Sequence, residues 1–211
     1  MNHDDPKETP VTETAEPVAV TVHTDGTMDG HNSHYEKYLR DMADTYQDVA
    51  AFEAELASRG GDALVYHVEE SRTGRGPGAL IAGTSVLQPG RIGDEYSMTR
   101  GHLHALPNCA EVYYGVSGQG VMMLDSLDGQ YRALPIGPGI VVTVPGGWVH
   151  RSVNVGDVPL VTLFVYNEDA GQDYALIGQA GGMSHLIVTD GTGGWKAVPN
   201  PRHKGYQRPG N

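Results

Sequence analysis

The strongest chemical signal in the sequence is the run Gly101-His102-Leu103-His104, followed by Glu111 and, in a second segment, His150. Residues two apart in an extended strand share a face, so His102 and His104 point the same way and their imidazoles converge. Glu111 opens the next strand candidate, and Tyr113, two residues on, lies on the same face; a hairpin lays that face over the two histidines. Three imidazoles and one carboxylate suit a first-row divalent ion, with open coordination positions for water or a substrate. Any one of these histidines taken alone reads as a surface or satisfied core residue. Tyr113 alone fits a packed sheet tyrosine as well as a partner for a ligand hydroxyl.

The elements that must position these groups are mostly strands. From Ala63 onward, stretches of about five to eight residues are punctuated by Gly, Pro, Asn and Asp. The strand candidates are Ala63–Glu69, Ala79–Leu87, Glu111–Val116, Gly120–Asp125, Ile140–Val144, Val149–Asn154, Leu160–Tyr166 and His185–Thr189. Short strands in succession without intervening helices indicate an all-β sandwich or barrel. Leu160–Tyr166 is almost continuously apolar, as a strand covered on both faces requires. Ahead of the strands, Ser33-His34-Tyr35-Glu36 fits a capping box. Tyr35, Tyr38, Leu39, Met42, Tyr46, Val49 and Leu56 then recur at helical spacing up to Gly60-Gly61. The organisation expected is a flexible acidic arm over 1–32, with one edge strand at Val18–Val22, and an amphipathic helix over 33–61. A barrel over 62–198 and a loose, basic, proline-rich tail over 199–211 complete it.

Composition removes several functions. The 211 residues carry 26 acids against 14 bases, a net charge of −12, and no basic patch is available to neutralise a run of phosphates. Half of that charge lies in the first thirty residues, where Lys7 is the single base against seven acids. Nucleic acid is therefore not an expected partner. A membrane is not expected either, because no apolar run approaches the ~18 residues of a span and the first residues are acidic and polar. One cysteine, Cys109, excludes an intrachain disulfide framework and suits a reducing cytoplasm. Twenty-nine glycines and thirteen prolines fit many turns between short strands. Cys109 reads as a small buried filler, Trp148 and Trp195 as packing residues. Arg100 and Arg151 flank ligands but face away from them, toward supporting or dimer contacts.

The stretch Gly139 to Asn154 carries Gly, five residues, Pro145-Gly146-Gly147, two residues, His150, three residues and Asn154, and it resembles the second cupin motif. His102-Leu-His104, Glu111 and Gly118 resemble the first, with six residues between His104 and Glu111 and with Tyr96 where a glycine is usual. Thr84–Gly90, Gly93–His104, Ala110–Tyr113 and Tyr166–Tyr174 together resemble the cupin-type glucose-6-phosphate isomerases, from about Tyr35 to Pro201. The long His-to-Glu spacing is a trait of that family.

The resemblance implies a homodimeric cupin jelly-roll barrel in the cytoplasm, interconverting glucose 6-phosphate and fructose 6-phosphate in glycolysis and gluconeogenesis. It implies one divalent metal per subunit, Fe2+ first and Mn2+, Zn2+, Ni2+ or Co2+ as alternatives, held by His102, His104, Glu111 and His150. Tyr66, Ser85, Thr99, Gly101 and Tyr166 match positions that hold the phosphate, with Ser85 where threonine is usual. Tyr113 and Tyr174 match sugar-facing positions, and Gln172 stands where the family commonly has histidine. Phosphate binding without a basic cluster is physically sound, since hydroxyls and oriented backbone amides form anion-binding concavities. Glu111 is the carboxylate placed to act as base for an enediolate route; metal coordination lowers its basicity, so either it leaves the metal or a hydride shift operates. Two rival readings keep the barrel: an isomerase, epimerase or oxygenase on another small substrate, and a non-catalytic sugar-binding cupin.

Overall fold

The computed structural model describes residues 16–207. Eleven of its strands build the architecture: β1 Ser33–Tyr38, β2 Leu64–Arg72, β3 Leu80–Leu87, β4 Glu111–Ser117, β5 Gly120–Ser126, β6 Tyr131–Ile136, β7 Val141–Val144, β8 Trp148–Asn154, β9 Leu160–Asn167, β10 His185–Thr189 and β11 Trp195–Pro199. Two-residue strands and the helices α1 Val49–Arg59 and α2 Ala175–Gln179 complete it. A six-stranded sheet has the order β7-β4-β9-β3-β2-β1, and a three-stranded sheet has the order β6-β5-β8; all pairings in both are antiparallel. The pairs nest: β4 lies against β9, β5 against β8, and the chain reverses between β6 and β7 at Gly139, whose φ is 82°. A long hairpin rolled up in this way is a jelly roll, the barrel expected from the strand pattern.

Sequence patterning explains each wall. β9 is central, paired on both edges, and its apolar run LVTLFVYN is buried at most positions. β5 is buried throughout between β6 and β8. β4 alternates, with Glu111, Tyr113 and Gly115 inward and Val112 and Tyr114 outward, which is how a half-exposed strand aims its functional parity at the interior. The core between the walls is methionine-rich, with Met98, Met122, Met123 and Met183 buried.

The eight expected strands are present within one to three residues at each end. β1, β6 and β11 were not among them.

The N-terminal region differs from expectation. Residues 33–61 are not one helix: Ser33–Tyr38 is strand β1, paired with β2 in the register His34↔Glu69 and Glu36↔His67. A 3-10 turn at Leu39–Met42 follows, and α1 begins only at Val49, where the Asp48 side chain accepts from the Ala51 amide. The physical reason is the open edge of β2, whose backbone groups need partners. The stretch SHYEKY alternates well enough to supply them, and pairing overrides a local capping signal. Leu39, Met42 and Tyr46 are nonetheless buried, as the apolar spacing required, whereas Val49 is exposed and Phe52, outside that spacing, is buried.

Residues 16–32 are not a loose arm. Thr21–Val22 pairs with Met28–Asp29, so the expected edge strand Val18–Val22 is realised only at its end, and Met28 is buried on the barrel. Residues 1–15 lie outside the described residues. The tail is also fastened. Arg202 Nη2 donates to the Tyr46 carbonyl at 3.0 Å, and the Tyr206 hydroxyl donates to Asp125 at 2.6 Å. A long separation in sequence hid these anchors; residues 208–211 lie outside the description.

Candidate active site

The two histidine segments are locked together by backbone. His102 N donates to His150 O at 3.1 Å and His150 N donates to His102 O at 3.0 Å, which sets the two rings with centroids 4.4 Å apart. Gly101, at φ 74°, makes the turn into this bridge with its α-carbon against β8. Pairing of β4 with β9 puts Glu111 opposite Tyr166, and the carboxylate meets all three imidazoles. Glu111 Oε2 is 2.9 Å from His150 Nε2, 3.3 Å from His104 Nε2 and 3.8 Å from His102 Nε2.

The tautomers follow from what lies behind the rings. His104 Nδ1 donates to the Cys109 carbonyl at 3.0 Å and His150 Nδ1 to the Trp148 carbonyl at 3.0 Å, since a carbonyl can only accept. In its neutral form each ring therefore turns a lone pair, on Nε2, toward Glu111, and such support is how ligating histidines are oriented. The Nε2 atoms of His102 and His104 are buried without a hydrogen-bond partner. The four candidate donor atoms lie within 4.8 Å of one another. Lone pairs and a carboxylate pointed at one small space call for a cation, so these residues fit a divalent ion with nitrogen and oxygen ligands.

The electrostatics agree. Burial works against ionisation of Glu111, but the imidazoles of His104 and His150 against it overcome this and hold its carboxyl down at about 2. Burial and the neighbouring His150 push His102 well below the usual imidazole value, keeping it neutral as a ligand must be. Burial also opposes a charge on His104, but the adjacent Glu111 carboxylate outweighs this and raises it.

The cluster forms the floor of a cavity. Every residue singled out from the sequence lines it: Tyr66, Ser85, Thr99, Gly101, His102, Glu111, Tyr113, His150, Tyr166, Gln172 and Tyr174; His104 sits just behind, stacked on Tyr166 with centroids 5.6 Å apart. Burial, reinforced by the Glu111 charge, pushes the Tyr113 hydroxyl well up, and burial raises Tyr66 to about 12, so both remain protonated donors at neutral pH. Gln172 lies across from His104 in a two-residue ladder, and its side-chain oxygen accepts from the Tyr174 hydroxyl.

Sequence reasoning missed several lining residues: Tyr35, Glu70, Ser152 and Phe164. Tyr35 was placed on a helix face, where its true period of two was masked. Ser152 follows His150 at a spacing of two on β8, a parity signal that was available. Arg151, expected to face away toward supporting or dimer contacts, is buried and belongs to the lining of the cavity. Its guanidinium holds Arg100 O at 2.6 Å and Met98 Sδ at 2.8 Å, bracing the segment that leads into Gly101. Cys109 is half-buried and contributes its carbonyl, not its thiol. Trp148 and Trp195 pack against the core.

An antiparallel jelly roll whose inner wall carries three histidines and a glutamate, two of the histidines two residues apart, is a cupin with a side-chain cluster that could hold a metal ion. A family model described as "Glucose-6-phosphate isomerase (GPI)" matches residues 36–204, and the chain belongs to that family. It is 47% identical over 175 residues to the glucose-6-phosphate isomerase of Sinorhizobium medicae, covering 83% of this chain and 81% of that protein. It is 40% identical over 166 residues to the glucose-6-phosphate isomerase of Thermococcus kodakarensis, covering 79% and 85%. Among solved structures, Bacillus subtilis oxalate decarboxylase overlaps 49% of this chain and 26% of its own at 26% identity and a TM-score of 0.41, a partial overlap on which nothing below depends.

Proposed function

We propose that this protein is a metal-dependent aldose–ketose isomerase that interconverts glucose 6-phosphate and fructose 6-phosphate. The observation that carries the reading is the inward-facing set of His102, His104, Glu111 and His150 at the floor of a hydroxyl-lined cavity, in a chain of this family. His102, His104, Glu111 and His150 would hold a divalent ion, which would supply Lewis acidity toward the oxygens of the reacting carbons. Iron is the favoured ion on the family resemblance, with manganese, zinc, nickel and cobalt as alternatives.

Protein groups do the rest. Ser85, Thr99 and Tyr66 offer hydroxyls, and the Gly101 turn offers backbone approach, for an anion at one end of the cavity. Tyr113, buried beside Glu111, donates to a sugar oxygen. Glu111 is the carboxylate available to take the hydrogen from carbon as a proton. A direct shift of that hydrogen between C1 and C2 makes no such demand on it. The barrel wall keeps these groups out of bulk water, where electrostatic stabilisation of developing charge counts most.

A second reading, isomerisation of a different phosphorylated sugar, is favoured by Gln172, whose amide does not ionise near neutral pH and so cannot relay a proton, and whose oxygen is occupied by Tyr174. Conversion of fructose 6-phosphate to glucose 6-phosphate, read through a coupled dehydrogenase before and after chelation and metal re-addition, tests the first reading. Absence of turnover with every one of the five metals refutes it, and a panel of other sugar phosphates then tests the second.

The family resemblance further supports a homodimer acting in the cytoplasm. The outward residues Val112, Tyr114 and Val141, exposed on the β4–β7 face, offer apolar area to a second copy, which sedimentation reads directly. Among the described residues no helix is long and apolar enough to cross a membrane.

A further inference from the structure

The segment 98–102 runs antiparallel beside β8 with one residue too many. Met98 bridges Val153 and His102 bridges His150, so the segment advances from 98 to 102 while β8 covers only 153 to 150. Thr99 is still in step: its amide donates to the Ser152 carbonyl at 3.0 Å, and its hydroxyl oxygen accepts from the Ser152 amide at 3.1 Å. The surplus residue therefore falls at Arg100-Gly101, opposite Arg151, and makes a β-bulge in which Gly101 takes a φ of 74°. On a regular strand Thr99 and His102 would face opposite ways. The bulge cancels that alternation, and a hydroxyl and a candidate metal ligand come to line the same cavity.

Arg151 occupies the space behind the bulge. It lies between the inward His150 and Ser152 on β8, so its side chain has the opposite parity. Asp125 has that same parity on β5, and it accepts hydrogen bonds from Ser184 and Tyr206 of the layer covering this face. The Arg151 guanidinium spans the bulge, with Nη1 on Met98 Sδ at 2.8 Å and Nη2 on Arg100 O at 2.6 Å. The Arg100–Gly101 peptide is trans and planar, so its C=O and N–H point in opposite directions. A carbonyl drawn back to Arg151 turns the Gly101 N–H forward, into the cavity that Gly101 lines beside Thr99, and no acceptor among the described residues takes it. Thr99 Oγ1 already accepts from Ser152, which leaves its hydrogen for a ligand as well. We propose that Arg151 is a positioning residue: by holding the Arg100 carbonyl it aims the Gly101 amide at the phosphate of the substrate, acting through the backbone and not through a contact of its own. The inference rests on the sugar-phosphate reading of the cavity.

The test compares wild type with Arg151→Met and Arg151→Lys. Arginine is followed by glycine at 59–60, 75–76 and 100–101 only, so carbonyl-labelled arginine combined with nitrogen-labelled glycine isolates the Gly101 amide among three NMR signals. In the Zn2+-loaded wild type, inorganic phosphate is expected to move that signal downfield to saturation; in Arg151→Met it should not. In metal-loaded Arg151→Met, KM for fructose 6-phosphate and the inhibition constant of inorganic phosphate should each rise about ten-fold, the size of one hydrogen bond to a charged group. Its kcat should stay within about three-fold and its calorimetric Mn2+ affinity within about two-fold, because the reciprocal His102–His150 backbone bonds remain. Arg151→Lys, which puts one ammonium in place of a fork that reaches two acceptors, should fall between wild type and Arg151→Met. The inference is overturned if saturating phosphate leaves the wild-type Gly101 signal in place, or if Arg151→Met keeps its phosphate constant within about two-fold of wild type. It is also overturned if Arg151→Met loses as much Mn2+ affinity as phosphate affinity, the mark of a residue that only supports the fold. Should Arg151→Met show no cooperative urea transition, Arg151→Lys takes its place under the same criteria. A wild type without turnover whose Gly101 signal still answers phosphate overturns the isomerase reading alone; a working wild type with a silent Gly101 signal overturns only the role of Arg151.

Discussion

Replacement of Gly101 by alanine isolates the device that brings the two histidine segments together. The residue sits at φ 74°, and a Cβ there would lie 2.8 Å from the His150 carbonyl oxygen, 2.9 Å from Arg151 Cβ and 3.0 Å from Ile177 Cδ1. Left-handed backbone costs an alanine about 1–2 kcal/mol. Crowding of a packed interior adds about 1–3 kcal/mol, because two of the three obstacles are backbone or Cβ atoms that cannot swing aside. The expected total is a loss of about 2–5 kcal/mol in urea unfolding of the metal-free protein, within the ~5–15 kcal/mol that a domain of this size has available. Relief of the clash must push Gly101 off β8, lengthening the reciprocal His102–His150 backbone bonds and displacing His102 Nε2 from the cluster. Calorimetric titration with Mn2+ should accordingly show affinity weakened at least ten-fold. Gly129→Ala is the control: φ is 91° there, but nothing lies within 4 Å of the added carbon, so only the conformational cost of about 1–2 kcal/mol applies. Equal losses in the two variants would refute the crowding argument, and an unchanged Mn2+ affinity in Gly101→Ala would refute the positional one.

The remaining predictions follow from the same contacts. His104→Ala and Glu111→Ala should each weaken divalent metal by more than about a hundred-fold, since loss even of supporting groups costs 10–100-fold, and should abolish chelator-reversible activity; full rate in both would place the site elsewhere. Tyr206→Phe removes the tail's hydrogen bond to buried Asp125 and should cost about 1–2 kcal/mol in urea unfolding, whereas a free tail predicts no change. Burial raises the Glu95 carboxyl, outweighing its hydrogen bond from the Gln47 amide, and its Oε2 has no partner. The folded state therefore binds that proton more tightly than the unfolded state, and stability falls as pH rises above the ordinary carboxyl value of 4.5. Glu95→Gln should flatten this decline between pH 4 and 7, and parallel pH profiles for wild type and variant would refute it.

What the sequence disclosed and what it withheld separate along one physical line. The metal ligands were legible because their geometry is local. His102 and His104 share a strand face by parity, and Glu111 and Tyr113 do the same on β4, so only the closure of two strands had to be supplied. The main strands were legible because Gly and Pro punctuate them. β1 was not, because Tyr35 and Tyr38 satisfy a period of three as readily as Tyr35 alternates with His34 and Glu36, and the choice between them was made by the unpaired edge of β2, which lies beyond α1 in the chain and out of reach of any local signal. Glu70 was hidden for a related reason. In the pair Glu69-Glu70 either carboxylate can face inward, and only the register with β3 sends Glu69 outward to the Met28 amide and Glu70 into the cavity. A one-residue slip would exchange them and put the charge on the other face. The candidate metal cluster is thus written in residue spacing, whereas the second buried carboxylate of the cavity is written in strand register.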